Sequence, residues 1–296
     1  MIQQPPQKVI SLSSRRMVKQ GVKDQATRTS AKNNTRVIAI TSGKGGVGKT
    51  NIVANLGFSL SQLGKKVLIL DADVGLGNLD ILLGLTPRYN LSHVIAGMKT
   101  IGQITMDGPG NMRILPASSG IQELTELTKE QKIQILSELD SLLDPIDVLL
   151  IDTAAGISSN VTSFSCTAQE IIVVVSPEPT SITDAYALMK VLFLKHSESH
   201  FKLLVNLAHD SKEADEVFRQ LNLVTERFLD ISIEYIGYVL MDHNLTRSVK
   251  RQKLVCETYP DSAGSGCFTA LAHRILESRP HSFPKGNSHF FWDQIL

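Results

Sequence analysis

The sequence predicts an α/β protein, a doubly wound and mainly parallel sheet flanked by helices on both faces. Three observations predict it. Short apolar runs of strand length alternate with stretches of helical periodicity. Several of those runs end in an acid or an amide, at the end of a parallel strand where ligands bind. The first run opens into Thr41-Ser-Gly-Lys-Gly-Gly-Val-Gly-Lys-Thr-Asn51, a glycine-rich loop that leads into a helix.

Val37-Ile38-Ala39-Ile40 reads as a buried strand entering that loop. Gly43, Gly48, Lys49 and Thr50 match the G-x-x-x-x-G-K-[ST] pattern, in which successive backbone N–H groups converge on phosphate oxygens, and Gly45, Gly46, Val47 and Asn51 complete the cradle. Lys49 is expected to reach the β/γ-phosphates and Thr50 to hold Mg²⁺. Ile52, Leu56, Leu60 and Leu63 recur at helical spacing, which places the phosphates at a helix N-terminus, where unpaired N–H groups and the helix dipole favour an anion.

Lys66-Val67-Leu68-Ile69-Leu70 is a second buried strand and runs into Asp71-Ala72-Asp73. Two acids after an apolar strand are expensive to bury without a partner, and their spacing of two puts them on one side of an extended segment. Asp71 and Asp73 are therefore candidate site residues, with a turn-forming role as the alternative for Asp73; Asn78 and Asp80 read as loop or cap residues. Residues 82–125 carry one short strand signal, Met112-Arg113-Ile114-Leu115, after a turn. Residues 127–143 read as a surface helix with a buried stripe of Ile133, Leu136, Leu139 and Leu143.

Asp147-Val148-Leu149-Leu150-Ile151-Asp152 is a third strand ending in an acid. Paired with the upstream loop it is a Walker B arrangement, with Asp152 supplying a carboxylate to the Mg²⁺ shell and Gly156 letting backbone approach the γ-phosphate. A fourth strand covers residues 171–176, and Ser181-x-x-Asp184 reads as a capping box opening a helix through Leu194. Further strands end at Asn206 and near Asp242. Asn206 has the amide needed to read the edge of adenine, or else forms a turn. Lys250, Arg251 and Lys253 read as a solvated basic face, and a last helix packs Leu271 and Ile275.

The 296 residues are 42% hydrophobic and 20% charged, enough for one large domain with a full core. The net charge of +1 provides no global attraction to nucleic acid or to a membrane, so any such contact must come from a local patch. Three scattered cysteines, Cys166, Cys256 and Cys267, argue for buried thiols in a reducing cytosol and against a zinc or iron–sulfur centre. No run approaches the roughly 20 apolar residues of a spanning helix, and the Gln- and Pro-rich start is unlike a secretory signal.

The expected organisation is a flexible basic arm at 1–35, an ATPase domain at 36–278 and a tail at 279–296. The arm holds seven basic residues against Asp24, either as a solvated leader or as a docking peptide. In the tail, Phe290, Phe291, Trp292, Ile295 and Leu296 form a short amphipathic segment, docked on the body or exposed as a membrane anchor.

Lys44 directly after Gly43 gives Lys-Gly-Gly-x-Gly-Lys-Thr, which resembles the deviant Walker A loop of the MinD/ParA ATPases. The resemblance implies ATP/ADP and Mg²⁺ as ligands and a homodimer that sandwiches ATP, with Lys44 reaching the other subunit's phosphates. It also implies switch I around Asp71 and Asp73, with Asp73 orienting the attacking water. Switch II is then Asp152 to Gly156, and Asp71, Asp152 and Thr50 lie around the metal. Asp242 stands at the family's late acid, a base contact, with Leu240-Met241 before it. Asp152-Thr-Ala-Ala-Gly-Ile, Glu178-Pro-Thr-Ser-Ile-Thr-Asp-Ala-Tyr and Arg227-Phe-Leu-Asp resemble the flagellar-number regulators of that family, the FlhG/FleN group.

That group implies a slow ATPase acting as a switch at the inner face of the cell membrane. Its implied partners are the GTPase FlhF, a FleQ-type transcription activator and C-ring proteins. Asp24-Gln25-Ala26 resembles the start of the group's FlhF-activating motif, with Thr29 and Ser30 where Leu and Arg stand there. Inside the family the alternatives are a division-site MinD or a partitioning ParA. Outside it they are a redox carrier like the nitrogenase iron protein, or a phosphotransferase like the bacterial tyrosine kinases, whose terminal tyrosine cluster is missing after Tyr259.

Overall fold

The computed structural model describes residues 35–73, 77–116, 145–229 and 231–278, together with 135, 137–139 and 141–143. The basic arm and the aromatic tail lie outside the described residues. Within them the sheet has eight strands in the order β3-β4-β2-β5-β1-β6-β7-β8. These are β1 (Arg36–Ser42), β2 (Val67–Ala72), β3 (Met106–Asp107), β4 (Arg113–Pro116), β5 (Val148–Ala155), β6 (Glu170–Val175), β7 (His200–Ala208) and β8 (Ser232–Leu240). Every pairing is parallel except β3 with β4.

β1, β2 and β6 are buried along their whole length, which explains why they read as continuous apolar runs: helices cover both faces of a parallel sheet. On one face lie α1 (Lys49–Gln62) and the last helix, α10 (Ala263–Glu277), whose Ile52, Leu56, Phe268 and Leu271 pack onto Ile38, Ile40 and Ile69. On the other lie α5 (Ser159–Thr167), α6 (Pro179–His196) and α7 (Ser211–Phe228). The helical residues between 135 and 143 join them, burying Ile135, Leu139, Leu142 and Leu143. Leu139 and Leu143 of the expected stripe are buried, while Ile133 and Leu136 fall outside the described residues.

Two expectations are corrected. The stretch after β2 holds three short helices, α2 (Leu79–Leu83), α3 (Leu91–Ile95) and α4 (Ile101–Ile104), and the antiparallel strand β3. Each helix is a single turn, too short to show a period. The capping box at Ser181 is absent: α6 starts at Pro179 after Glu178, a proline at its first turn where no N–H is needed. The Ser181 hydroxyl instead accepts from the Ser176 N–H at 3.0 Å, tying the helix to the end of β6.

After β8 come α8 (His243–Lys250) and α9 (Val255–Thr258), which lead into α10.

Candidate nucleotide site

The loop between β1 and α1 lies at the carboxyl end of the sheet, where β1 sits between β5 and β6. Two of its glycines are dictated by what touches them. A Cβ on Gly43 would collide with the Asp184 carbonyl, so α6 backbone lies directly against the start of the loop. Gly48 has φ +87°, and a Cβ there would strike the Asn206 side chain. Gly45 and Gly46 face open space, with nothing within 4 Å of where a Cβ would stand. The loop is thus braced at both ends and open in the middle, the shape of a phosphate cradle.

Asn206, at the end of β7, supplies the second brace. Its Nδ2 donates to the Val47 carbonyl at 2.7 Å, and its Oδ1 is buried without a hydrogen-bond partner among the described residues. Sequence reasoning picked this residue for adenine; the structure adds a role it did not foresee, holding the loop itself. Asn51 lies in the first turn of α1, where its carbonyl accepts from Asn55 at 2.9 Å.

Parallel pairing of β2 with β5 sets Asp71 beside Asp152 in register. Both are almost fully buried. Burial, then the charge of Asp152, pushes Asp71 up to about 7, while the N–H of Asp73, donated at 3.3 Å, works against the rise. Burial raises Asp152 to about 6, opposed by the Lys49 ammonium and a hydrogen bond from Thr50. Asp152 Oδ1 has no hydrogen-bond partner among the described residues.

Two crowded carboxylates, one with an orphaned oxygen, and the Thr50 hydroxyl form an all-oxygen donor set suited to a hard divalent cation such as Mg²⁺. These residues fit the metal that the loop implies, and Lys49, itself buried, brings its ammonium to the same place. Bound there, the cation would neutralise phosphate charge; the chain's own contribution is to position those donors and exclude water. Asp73 is half-buried at the end of β2, on the same edge.

Lys44 does not join this group. Its Nζ pairs with the carboxylate of Glu178, just before α6, and donates to Thr180 Oγ1 in the first turn of that helix at 2.8 Å. No sequence signal marked Glu178 and Thr180 as its partners, because the contact spans more than 130 residues. Gly156 gives its N–H to the Ser42 carbonyl at 2.9 Å, which ties the end of β5 to β1. Asp242 caps α8, accepting from Asn244 N–H at 2.7 Å and Gly264 N–H at 2.9 Å. Burial works to raise its pKa, and those donors hold it below the usual carboxylate range. The three cysteines are half-buried and in no disulfide, and burial pushes the Cys256 and Cys267 thiols up.

Residues 35–204 match the family model described as "AAA domain". The chain is 43% identical to the antiactivator FleN of Pseudomonas aeruginosa over 261 residues, 88% of this chain and 93% of that protein. It is 31% identical to the flagellum site-determining protein YlxH of Helicobacter pylori, covering 90% of this chain and 91% of that one. Its fold superposes on the septum site-determining protein MinD of Pyrococcus horikoshii, solved with Mg-ADP, at a TM-score of 0.63 and 26% identity, over 82% of this chain and 96% of that one. Loop, paired acids, strand order and kinship agree, and the chain belongs to the MinD/ParA family of P-loop ATPases, among the FleN- and YlxH-like flagellar regulators.

Proposed function

We propose that the protein is an ATP-timed association switch that regulates flagellar number or placement. Mg-ATP binds the loop, with Lys49, Thr50, Asp71 and Asp152 around its phosphates and metal and Asn206 and Asp242 toward the base. Two ATP-bound copies join, and slow hydrolysis, with Asp73 orienting water, separates them. The pair, rather than the single chain, engages flagellar partners and the membrane, the latter through Phe290, Phe291 and Trp292 of the tail.

The observation that carries this reading is the placement of Lys44. Lys49 acts on the buried Asp152 of its own subunit, whereas Lys44 is held at the rim by Glu178 and Thr180, with its side chain one-third exposed. A second lysine kept off its own metal site and near solvent supports a contact with a second copy. A relative called an antiactivator and another called site-determining support an output by binding.

Size-exclusion chromatography with ADP and with ATP tests it. Asp73→Ala should slow hydrolysis and trap a dimer with ATP, while Lys44→Ala should bind ATP and stay monomeric. An Asp73→Ala protein that remains monomeric at saturating ATP would sink the proposal.

A further inference from the structure

From Arg247 to Lys253 the chain presents four exposed cations, Arg247, Lys250, Arg251 and Lys253, and no acid occurs between His243 and Cys256. Among the described residues none of the four has a carboxylate within ion-pair reach, whereas Arg36, Lys44, Lys202 and Arg219 each have one. The opposite face of α8 is committed to the core through Leu245 and Val249, so the charged face is fixed outward. Tyr259 orders both arginines: its hydroxyl accepts from Arg251 at 3.4 Å, and its ring lies 5.9 Å from the Arg247 guanidinium.

One of the molecule's exposed large apolar side chains borders this face: Ile81, on α2, is 57% exposed, while Met241, 54% exposed, stands before the other end of α8. Gln252 joins the two elements: at φ +54° its Nε2 donates to the Ile81 carbonyl at 2.9 Å. A second tie runs to the helix of the phosphate loop, where Asn55 Oδ1 of α1 accepts from the Cys256 N–H at 3.3 Å. The basic face is therefore bolted to α2, which follows the Asp71–Asp73 segment, and to α1, which begins at Lys49.

We propose that this face is a contact for anionic phospholipid, distinct from the aromatic tail and coupled to the nucleotide. Unpaired cations beside an exposed apolar side chain suit a headgroup layer, which takes the charges on its phosphates and the apolar group at the acyl boundary. A single-strand surface would instead present aromatic side chains for stacking, and the one ring here, Tyr259, is half-buried under its arginines; a duplex would use the cations alone and leave the exposed apolar neighbour without a role. Because both ties lead to elements of the nucleotide site, lipid and ATP should each alter the other's affinity. The inference rests on the reading that the protein works at a membrane, and it does not depend on which segment anchors it.

The test uses the full chain with ATP and two kinds of vesicle, phosphatidylcholine alone and phosphatidylcholine with one-third phosphatidylglycerol. Wild type should bind the anionic vesicles about ten-fold more tightly, an advantage that collapses at high salt. The triple variant Lys250→Gln, Arg251→Gln, Lys253→Gln should lose that advantage while keeping ATP binding and any attachment to neutral vesicles. Phe291→Ser with Trp292→Ser should weaken attachment to both compositions and leave the ratio intact; if it changes neither, the tail reading fails and the basic face stands. A triple variant that keeps the wild-type ratio overturns the proposal. So does a short DNA duplex that binds wild type more tightly than the anionic vesicles and is lost in the triple variant.

Discussion

The sheet buries charge at both ends, and the two ends resolve it differently. At the amino end Glu170 receives Arg36 in a two-pronged pair, one prong at 2.7 Å, and Lys202 at 3.3 Å, while Lys202 also meets Glu234 at 2.9 Å. Arg36 further donates to the Ile275 carbonyl and, at 2.9 Å, to Ser278 Oγ, so the end of α10 is fastened to the first strand. At the carboxyl end Asp71 and Asp152 lie side by side, and burial lifts both toward neutrality. A charge cluster that satisfies itself is architecture. One that is left short of positive charge is a place for a ligand, because a cation relieves what folding has left unfavourable.

Breaking the amino-end cluster should give the largest stability change. Glu170→Ala leaves Arg36 and Lys202 buried with their shared carboxylate gone, a change that typically costs about 3–5 kcal/mol. Urea denaturation without nucleotide would measure it, and a loss below about 1 kcal/mol would show that the cluster relaxes into water. At the carboxyl end the same kind of deletion should act oppositely: Asp152→Asn removes like-charge crowding and should leave the unliganded protein equally or more stable, while lowering ATP hydrolysis on the order of a hundred-fold or more.

The same contrast predicts a pH dependence. The folded-state pKa values of about 7 for Asp71 and about 6 for Asp152 lie above the value of 3.8 for a free aspartate. Between about pH 4 and pH 7 the native chain therefore holds more protons than the unfolded one, and stability without metal should fall as pH rises through that window. At about 1.4 kcal/mol per pKa unit the two acids together account for at most about 7 kcal/mol. Mg²⁺ with nucleotide competes with those protons, so its stabilisation should be small at pH 5 and large at pH 8. Thermal melts at the two pH values, with and without Mg-ATP, check the sign. Equal stabilisation at both would mean the acids do not face the metal.

Most of the frame was legible in the sequence because the central strands β1, β2 and β6 are wholly buried and apolar, and because the loop between β1 and α1 has a local pattern. Lys49, Thr50 and Asp152 could be placed from pattern alone, since strand ends and loop spacing determine where they go. What resisted reading was whatever depends on contacts distant in sequence. The pairing of Lys44 with Glu178, the three-cornered cluster of Arg36, Glu170 and Lys202, and the packing of Asn206 on Gly48 join segments with no periodic relation. The helices of a single turn between β2 and β4 were missed for another reason, being too short to carry a hydrophobic period. Lys250, Arg251 and Lys253 were visible as a cluster, but only folding shows that no acid answers them among the described residues.

Asn206 offers the finest comparison, because it mixes the two behaviours in one side chain. Its Nδ2 is satisfied by the Val47 carbonyl, as at the amino end, and its Oδ1 is buried and unpaired, as at the carboxyl end. Asn206→Ala removes a favourable bond and an unfavourable orphan together, and it leaves the Val47 carbonyl without its donor. The opposing contributions should nearly cancel, for a net loss of about 1 kcal/mol in the unliganded protein. Nucleotide binding should suffer more, by about ten-fold, because the loop loses its brace and the acceptor proposed for the base is gone. Equilibrium unfolding and titration with a fluorescent ATP analogue separate the two effects. If affinity were unchanged while stability fell by several kcal/mol, Asn206 would be a core residue like those of the amino end, and the orphaned Oδ1 would have no part in holding nucleotide.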